Sequence, residues 1–230
     1  MTTVLCVVAH PDDEVLGVGG TLAAHAGEGA DVHVCILSDG VTSRHEEVTK
    51  DVETEIERRT ARARAACDKL GVADLSIHTY PDNQFDTVPL LELVQTVEAE
   101  IDRIEPSVVY THHHGDLNVD HELACRATLT ATRPLADSPV ERVLAFETLS
   151  STEWARPESS TAFQPTTFVD ISETLATKLA ALETYDDELR TNPHPRTLEN
   201  VERNAELWGA KSGLSVAEPF ALLREVRTEL

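Results

Sequence analysis

His10, Pro11, Asp12, Asp13 and Glu14 set one imidazole and three carboxylates within five residues. Such crowding costs free energy unless a cation neutralises it. Pro11 removes a backbone donor and stiffens the turn, which lets His10 and Asp13 aim at a common point. The alternative is a solvated acidic loop that caps the following helix. A second polar run, His112 to His121, carries four histidines together with Asp116, Asn118 and Asp120. Four histidines in ten residues can be a surface tract, but taken with the first cluster they offer a ligand set. His10, Asp13 and His121 make two imidazoles and one carboxylate, which suits Zn(II) with an open position for water. The same set makes the facial triad of non-haem Fe(II) oxygenases, whose usual home is a β-rich barrel. A catalytically silent metal- or sugar-binding protein is the third reading.

Both runs follow apolar stretches that read as strands. Val4 to Ala9 is continuous and β-branched, and Asp31 to Leu37, Asp74 to Thr79, Ser107 to Thr111 and Arg142 to Glu147 are the next four. Between them Thr49 to Leu70 reads as a charged helix. Pro89 to Glu105 opens with a helix-compatible proline and places Leu90, Val94, Val97, Ile101 and Ile104 on one face. The alternation predicts an α/β fold: a Rossmann-like, doubly wound, mainly parallel sheet with helices on both faces, in one domain over residues 1–230. After Glu147 the alternation fades into a Ser/Thr-rich stretch from Thr148 to Thr167. A Ser172-capped helix follows, then a last helix from about Thr197 to Ser212 ended by Gly213.

In such a sheet the loops after the strands gather at one edge. That brings Arg44 to the site as a clamp for a hydroxyl or an anionic group, and Asp82 and Asn83 as sugar-hydroxyl partners; each is otherwise an ordinary turn residue. His194, between Pro193 and Pro195, sits in a stiff segment that can reach the site of its own or a neighbouring subunit. Gly17, Gly19 and Gly20 follow the acidic loop instead of forming the strand-to-helix turn. They fit close packing of helix on sheet better than a dinucleotide fingerprint.

The net charge of −22, with 15 arginines and 4 lysines, disfavours nucleic acid or an anionic membrane as partner. It fits a salty cytosol, where screening relieves self-repulsion. Cys6, Cys35, Cys67 and Cys125 have no paired spacing and read as reduced core thiols. With neither a secretory signal nor a run of about 18 to 20 apolar residues, a cytoplasmic location is expected.

The AHPDDE segment straight after the first strand, and a DxNxDH segment after the fourth, resemble the LmbE-like, or PIG-L, family of zinc-dependent N-deacetylases. The resemblance extends to Ser38–Arg44, Pro81–Asn83, His194–Arg196 and Ala217–Phe220. It implies that His10, Asp13 and His121 hold Zn2+ and that the substrate is a small N-acetylated sugar of the N-acetylglucosamine type, free or conjugated. It further implies that Asp12 is the general base for metal-activated water, returning the proton to the leaving amine. Many members carry histidine where this chain has Asn118, a neutral donor that cannot deliver a proton. An imidazole acid would then come from His113, His114 or His194. Asn118 or Asp120 can also cap the helix near His121, and Asp120 can orient an imidazole as its acceptor. A homo-oligomer is compatible with all of this.

Overall fold

The computed structural model describes residues 2–45, 47–156 and 158–227. Pro157, inside the Ser/Thr-rich stretch, lies outside them.

The chain builds β1 (Thr3–Val8), α1 (Asp13–Gly27), β2 (Asp31–Ser38), α2 (Lys50–Leu70), β3 (Asp74–Tyr80), α3 (Leu90–Ile104), β4 (Val108–His112), α4 (Val119–Ala131), β5 (Arg142–Phe146), β6 (Thr167–Asp170), α5 (Leu175–Leu182), α6 (Leu198–Ser212) and β7 (Ala217–Glu225). The seven strands form one sheet in the order β3-β2-β1-β4-β5-β7-β6. The pairings from β3 through to β5 are parallel, while β7 runs antiparallel to both neighbours.

Burial on both sides explains the apolar strands. Val4, Cys6 and Val8 pack with α1, α2, α5 and α6 on one face. Leu5, Val7 and Ala9 pack with α3 and α4 on the other. On α3 the apolar stripe is buried at Leu93, Val94, Val97 and Ile101, and Pro89 stands just before its first turn. Gly17 brings α1 against β5: a Cβ there would lie 2.1 Å from the Phe146 ring. All four cysteines are free and buried.

Three features of the second half depart from the sequence-based expectation. Strands β6 and β7 extend the sheet. Pro219 makes β7 a poor strand by composition, yet it lies one residue beyond the last partner on β5, where a missing donor is tolerated. Ser172 does not cap a helix; its hydroxyl donates to Asp170, and Thr174 precedes α5. The last helix ends as expected at Gly213, at φ +80°, and the Thr197 side chain caps its start by accepting from the Asn200 amide.

Glu218 on β7 accepts from the Gly20 and Thr21 amides of α1 and pairs with the buried Lys178 of α5 at 2.6 Å. The antiparallel strand is thereby locked to the helix that starts at Asp13.

Candidate active site

Strand order reverses between β1 and β4, and the crevice beyond their C-terminal ends is where open α/β sheets bind ligands. The loop after β1 and the first turn of α4 meet there.

Asp13, at the start of α1, points one oxygen at both imidazoles. Its Oδ2 is 3.4 Å from His10 Nδ1 and 3.3 Å from His121 Nε2. Oδ1 of Asp13 is buried with no hydrogen-bond partner. Ligand atoms of His10, Asp13 and His121 lie within 4.8 Å of one another. This donor set fits a divalent cation: two nitrogens and a carboxylate oxygen converge, and the second oxygen of that carboxylate is left without a partner. The electrostatics agree. Burial alone would lower the His10 and His121 pKa values, but Asp120 and Asp13 raise His10 to about 10, and Asp13 and Asp116 raise His121 to about 9. A cluster that holds protons so firmly attracts positive charge.

Each ring is fixed from behind. His10 Nε2 lies 3.0 Å from Asp120 Oδ2 and 3.2 Å from Asp82 Oδ1, and Asp120 Oδ1 accepts the Phe85 amide. His121 Nδ1 lies 3.2 Å from Asp116, which also accepts from the hydroxyls of Ser151 and Thr152. Burial pushes the Asp116 carboxyl up, but His121 and those hydroxyls outweigh it and hold it at about 2. His112 stacks on His121 with centroids 3.9 Å apart. Its Nε2 accepts the Ala9 amide at 3.0 Å, so that lone pair is already used, and burial beside charged His121 pulls its pKa to about 4.

Asp12 stands in the left-handed region at φ 106°, a conformation that costs a non-glycine residue on the order of 1–3 kcal/mol. Its amide donates to Glu14 Oε2, and its carboxylate is clamped by Arg196 at 3.0 Å and Arg59 at 3.3 Å. Burial nevertheless raises its pKa, against the pull of both guanidinium groups. Behind the arginines lies Glu188, 2.8 Å from Arg59 and 2.6 Å from Arg44. Glu14 is fully buried, accepts from Tyr185, and is pushed by burial to about 8.

His10, Asp12, Asp13, Asp82, Asn118 and His121 line a pocket of about 190 Å³ together with Arg59, Glu188 and Arg196. Of the residues singled out by sequence, Arg44 and Asn83 line it as well. Gly40 lets the second loop approach: at φ +68°, its added Cβ would meet Pro11 at 2.9 Å. Asn118 caps α4, which starts at Val119. Its oxygen accepts the Asp120 amide, and its nitrogen donates to Asn83 at 2.9 Å. Asp120 lies behind His10 instead of in the lining. His194 lies outside the lining too; its ring stands edge-on to Trp154, and Arg196, two residues on, enters the pocket. His113 and His114 turn away, each donating from Nε2 to a backbone carbonyl, of Thr161 and Ser160 respectively.

Sequence reasoning missed Arg59, Asp116, Ser150, Ser151 and Glu188. Arg59 carries a faint signal, being a cation on the buried side of the amphipathic α2. The others depend on pairing across the fold.

Several known proteins are similar to this chain. A 1D-myo-inositol 2-acetamido-2-deoxy-alpha-D-glucopyranoside deacetylase of Actinosynnema mirum is 30% identical over 227 residues, covering 79% of this chain and 78% of that protein. A 4-oxalmesaconate hydratase of Pseudomonas putida is 32% identical over 190 residues, covering 78% of this chain and 71% of that one. Among solved structures, the conserved protein TT1542 from Thermus thermophilus superposes with a TM-score of 0.77 at 26% identity, over 100% of this chain and 98% of the other. The model of the PIG-L family, described as GlcNAc-PI de-N-acetylase, matches residues 5–132, which contain all of His10, Asp13 and His121. By that match, which spans more than half of its length, the chain belongs to the PIG-L family.

Proposed function

We propose that this enzyme is a metal-dependent N-deacetylase. It removes the N-acetyl group from an N-acetylglucosamine-type sugar or its conjugate, holding Zn(II) with His10, Asp13 and His121. The observation that carries this reading is the convergence of Asp13 Oδ2 with two imidazoles, in a carboxylate whose other oxygen is buried without a partner, and with the Asp12 carboxylate in the same pocket but outside the donor set. A cation bound there supplies Lewis acidity, lowering the pKa of water to about 7 and polarising the amide carbonyl.

The chain's own groups do the rest. Asp120 accepts the Nε2 proton of His10, leaving the Nδ1 lone pair toward Asp13, and Asp116 takes the matching position at His121. Asp12 receives the proton of the attacking water and delivers it to the leaving amine. Arg59 and Arg196 fix that carboxylate. His113, His114 and His194 stand outside the lining, which supports giving Asp12 both steps. Arg44, Asp82, Asn83 and Asn118 offer polar atoms for sugar hydroxyls.

A hydratase reading has one specific support, the Pseudomonas relative. The pocket's charges favour the sugar. Each guanidinium in the lining already faces a carboxylate, Arg44 with Glu188, Arg59 with Asp12 and Glu188, and Arg196 with Asp12, which lowers their pull on an anionic substrate. A facial-triad oxygenase loses its structural argument, since the site sits on an open, mainly parallel sheet. Among the described residues no helix is long and apolar enough to cross a membrane.

The test is acetate release from a panel of N-acetylated sugars, with and without zinc and in high salt, beside an assay for hydration of 4-oxalmesaconate. Zinc-dependent acetate release is expected. Hydration without acetate release would replace this reading with the second one.

A further inference from the structure

Away from the pocket, the sheet edge holds a second convergence of metal-ligating side chains. Cys35 on β2 lies beside Ser76 in the β2–β3 register, and His78 is two residues further along β3, on the same face. Glu100 projects from α3, which covers that face. Ligand atoms of Cys35, His78 and Glu100 lie within 4.8 Å of one another. None of the three lines the pocket around Asp13.

Existing contacts leave this group unsatisfied. His78 Nε2 is buried without a hydrogen-bond partner, its nearest charged neighbour being Glu100 Oε1 at 3.6 Å. Ser76 Oγ, also buried, has the Cys35 thiol as its neighbour. Arg103 engages the other oxygen of Glu100, Oε2, so Oε1 is left facing the imidazole. An orphaned buried nitrogen costs about 1–3 kcal/mol in ordinary packing, so an edge strand that retains one at a Cys/His/Glu junction calls for a ligand.

We propose that Cys35, His78 and Glu100 form a second metal site, distinct from the pocket, for a borderline-soft divalent cation of the Zn(II) type. Sulfur, nitrogen and carboxylate oxygen match that cation, whereas Mg(II) and Ca(II) take oxygen ligands alone. The cation displaces the thiol proton of Cys35, which burial otherwise holds at a pKa of about 12. Its role is to fasten β3, an edge strand of the sheet, to β2 and α3. His78 is part-exposed, so the ion has a route in from solvent.

Sulfur makes the site spectroscopically separable, because the donors at Asp13 include no thiolate. The protein is stripped of metal, titrated with Co(II), and followed by metal content and by the near-ultraviolet thiolate-to-cobalt charge-transfer band. Wild type is expected to take two equivalents and show the band. Cys35→Ser and His78→Gln should each take one; Cys35→Ser should lack the band and retain acetate-releasing activity. Asp13→Ala should keep the band while taking one equivalent. Because Cys35 is fully buried and its variant can fold poorly, part-exposed His78→Gln carries the same count independently. Wild type binding a single equivalent without the band would overturn the site, as would a band that survives in Cys35→Ser.

Discussion

From β1 to α4, each polar loop leaves a parallel strand at the same sheet edge, and the proposed metal donors come from two such departures, His10 and Asp13 after β1 and His121 after β4. From β5 to β7 the chain contributes to the same pocket through an irregular turn at Ser150 and Ser151 and through Glu188 and Arg196 beyond α5. The first half supplies the proposed donors, the carboxylates Asp82, Asp116 and Asp120 behind their rings, and Arg59; the second supplies Arg196, which also holds Asp12, and Glu188, which anchors Arg59. In the first half, position follows from the secondary-structure period. In the second, it follows from ion pairs, such as Arg59 with Glu188, that join segments far apart in sequence.

If this division is right, damage to the two halves should separate. Asp13→Ala should cost the most, reducing metal affinity at the pocket and acetate release by more than the roughly 10–100-fold typical of outer-sphere lesions. Equilibrium dialysis and initial rates measure both. Glu188→Gln should leave metal content intact while lowering kcat on the order of 10–100-fold, because Arg59 and Arg44 lose their anchor and the Asp12 carboxylate shifts. Urea unfolding should show a loss of about 3–5 kcal/mol for that broken buried pair. Metal loss in Glu188→Gln would erase the distinction between the halves.

The smallest effect concerns pH. Glu147 lies at the end of β5, where Asn204 and Trp208 donate to its carboxylate, and burial still raises its pKa. A raised folded-state value means that its stabilising contribution is complete below the ordinary carboxylate pKa and declines as pH rises through the folded value. Glu147→Gln should therefore gain stability relative to wild type as pH goes from acidic to neutral. Chemical denaturation at a series of pH values checks the sign, and a flat difference would place Glu147 in contact with water.

The same contrast explains what could be read from sequence. Apolar runs bounded by polar loops showed five strands, most plainly where a strand is buried on both faces, as in β1; α2 and α3 showed through a long charged segment and a one-sided apolar stripe. Asp12, Asp13 and His121 were visible because they adjoin those runs. Strand β7 was hidden by Pro219 and by a ladder whose partners lie about 80 residues away in β5. Arg196 was passed over for His194 because a histidine between prolines attracts chemical interest, whereas only tertiary packing shows which side chain of that segment faces Asp12. Asp116 looked like one more acid in a polar loop until Ser151 and Thr152 came to meet it.

The most direct test replaces Asp12 with Asn and measures zinc content and acetate release on the same sample. Full zinc occupancy is expected with kcat reduced by about 10²–10⁴-fold, since the donors are intact and the proton acceptor is gone. Undiminished acetate release with zinc bound would contradict the role given to Asp12.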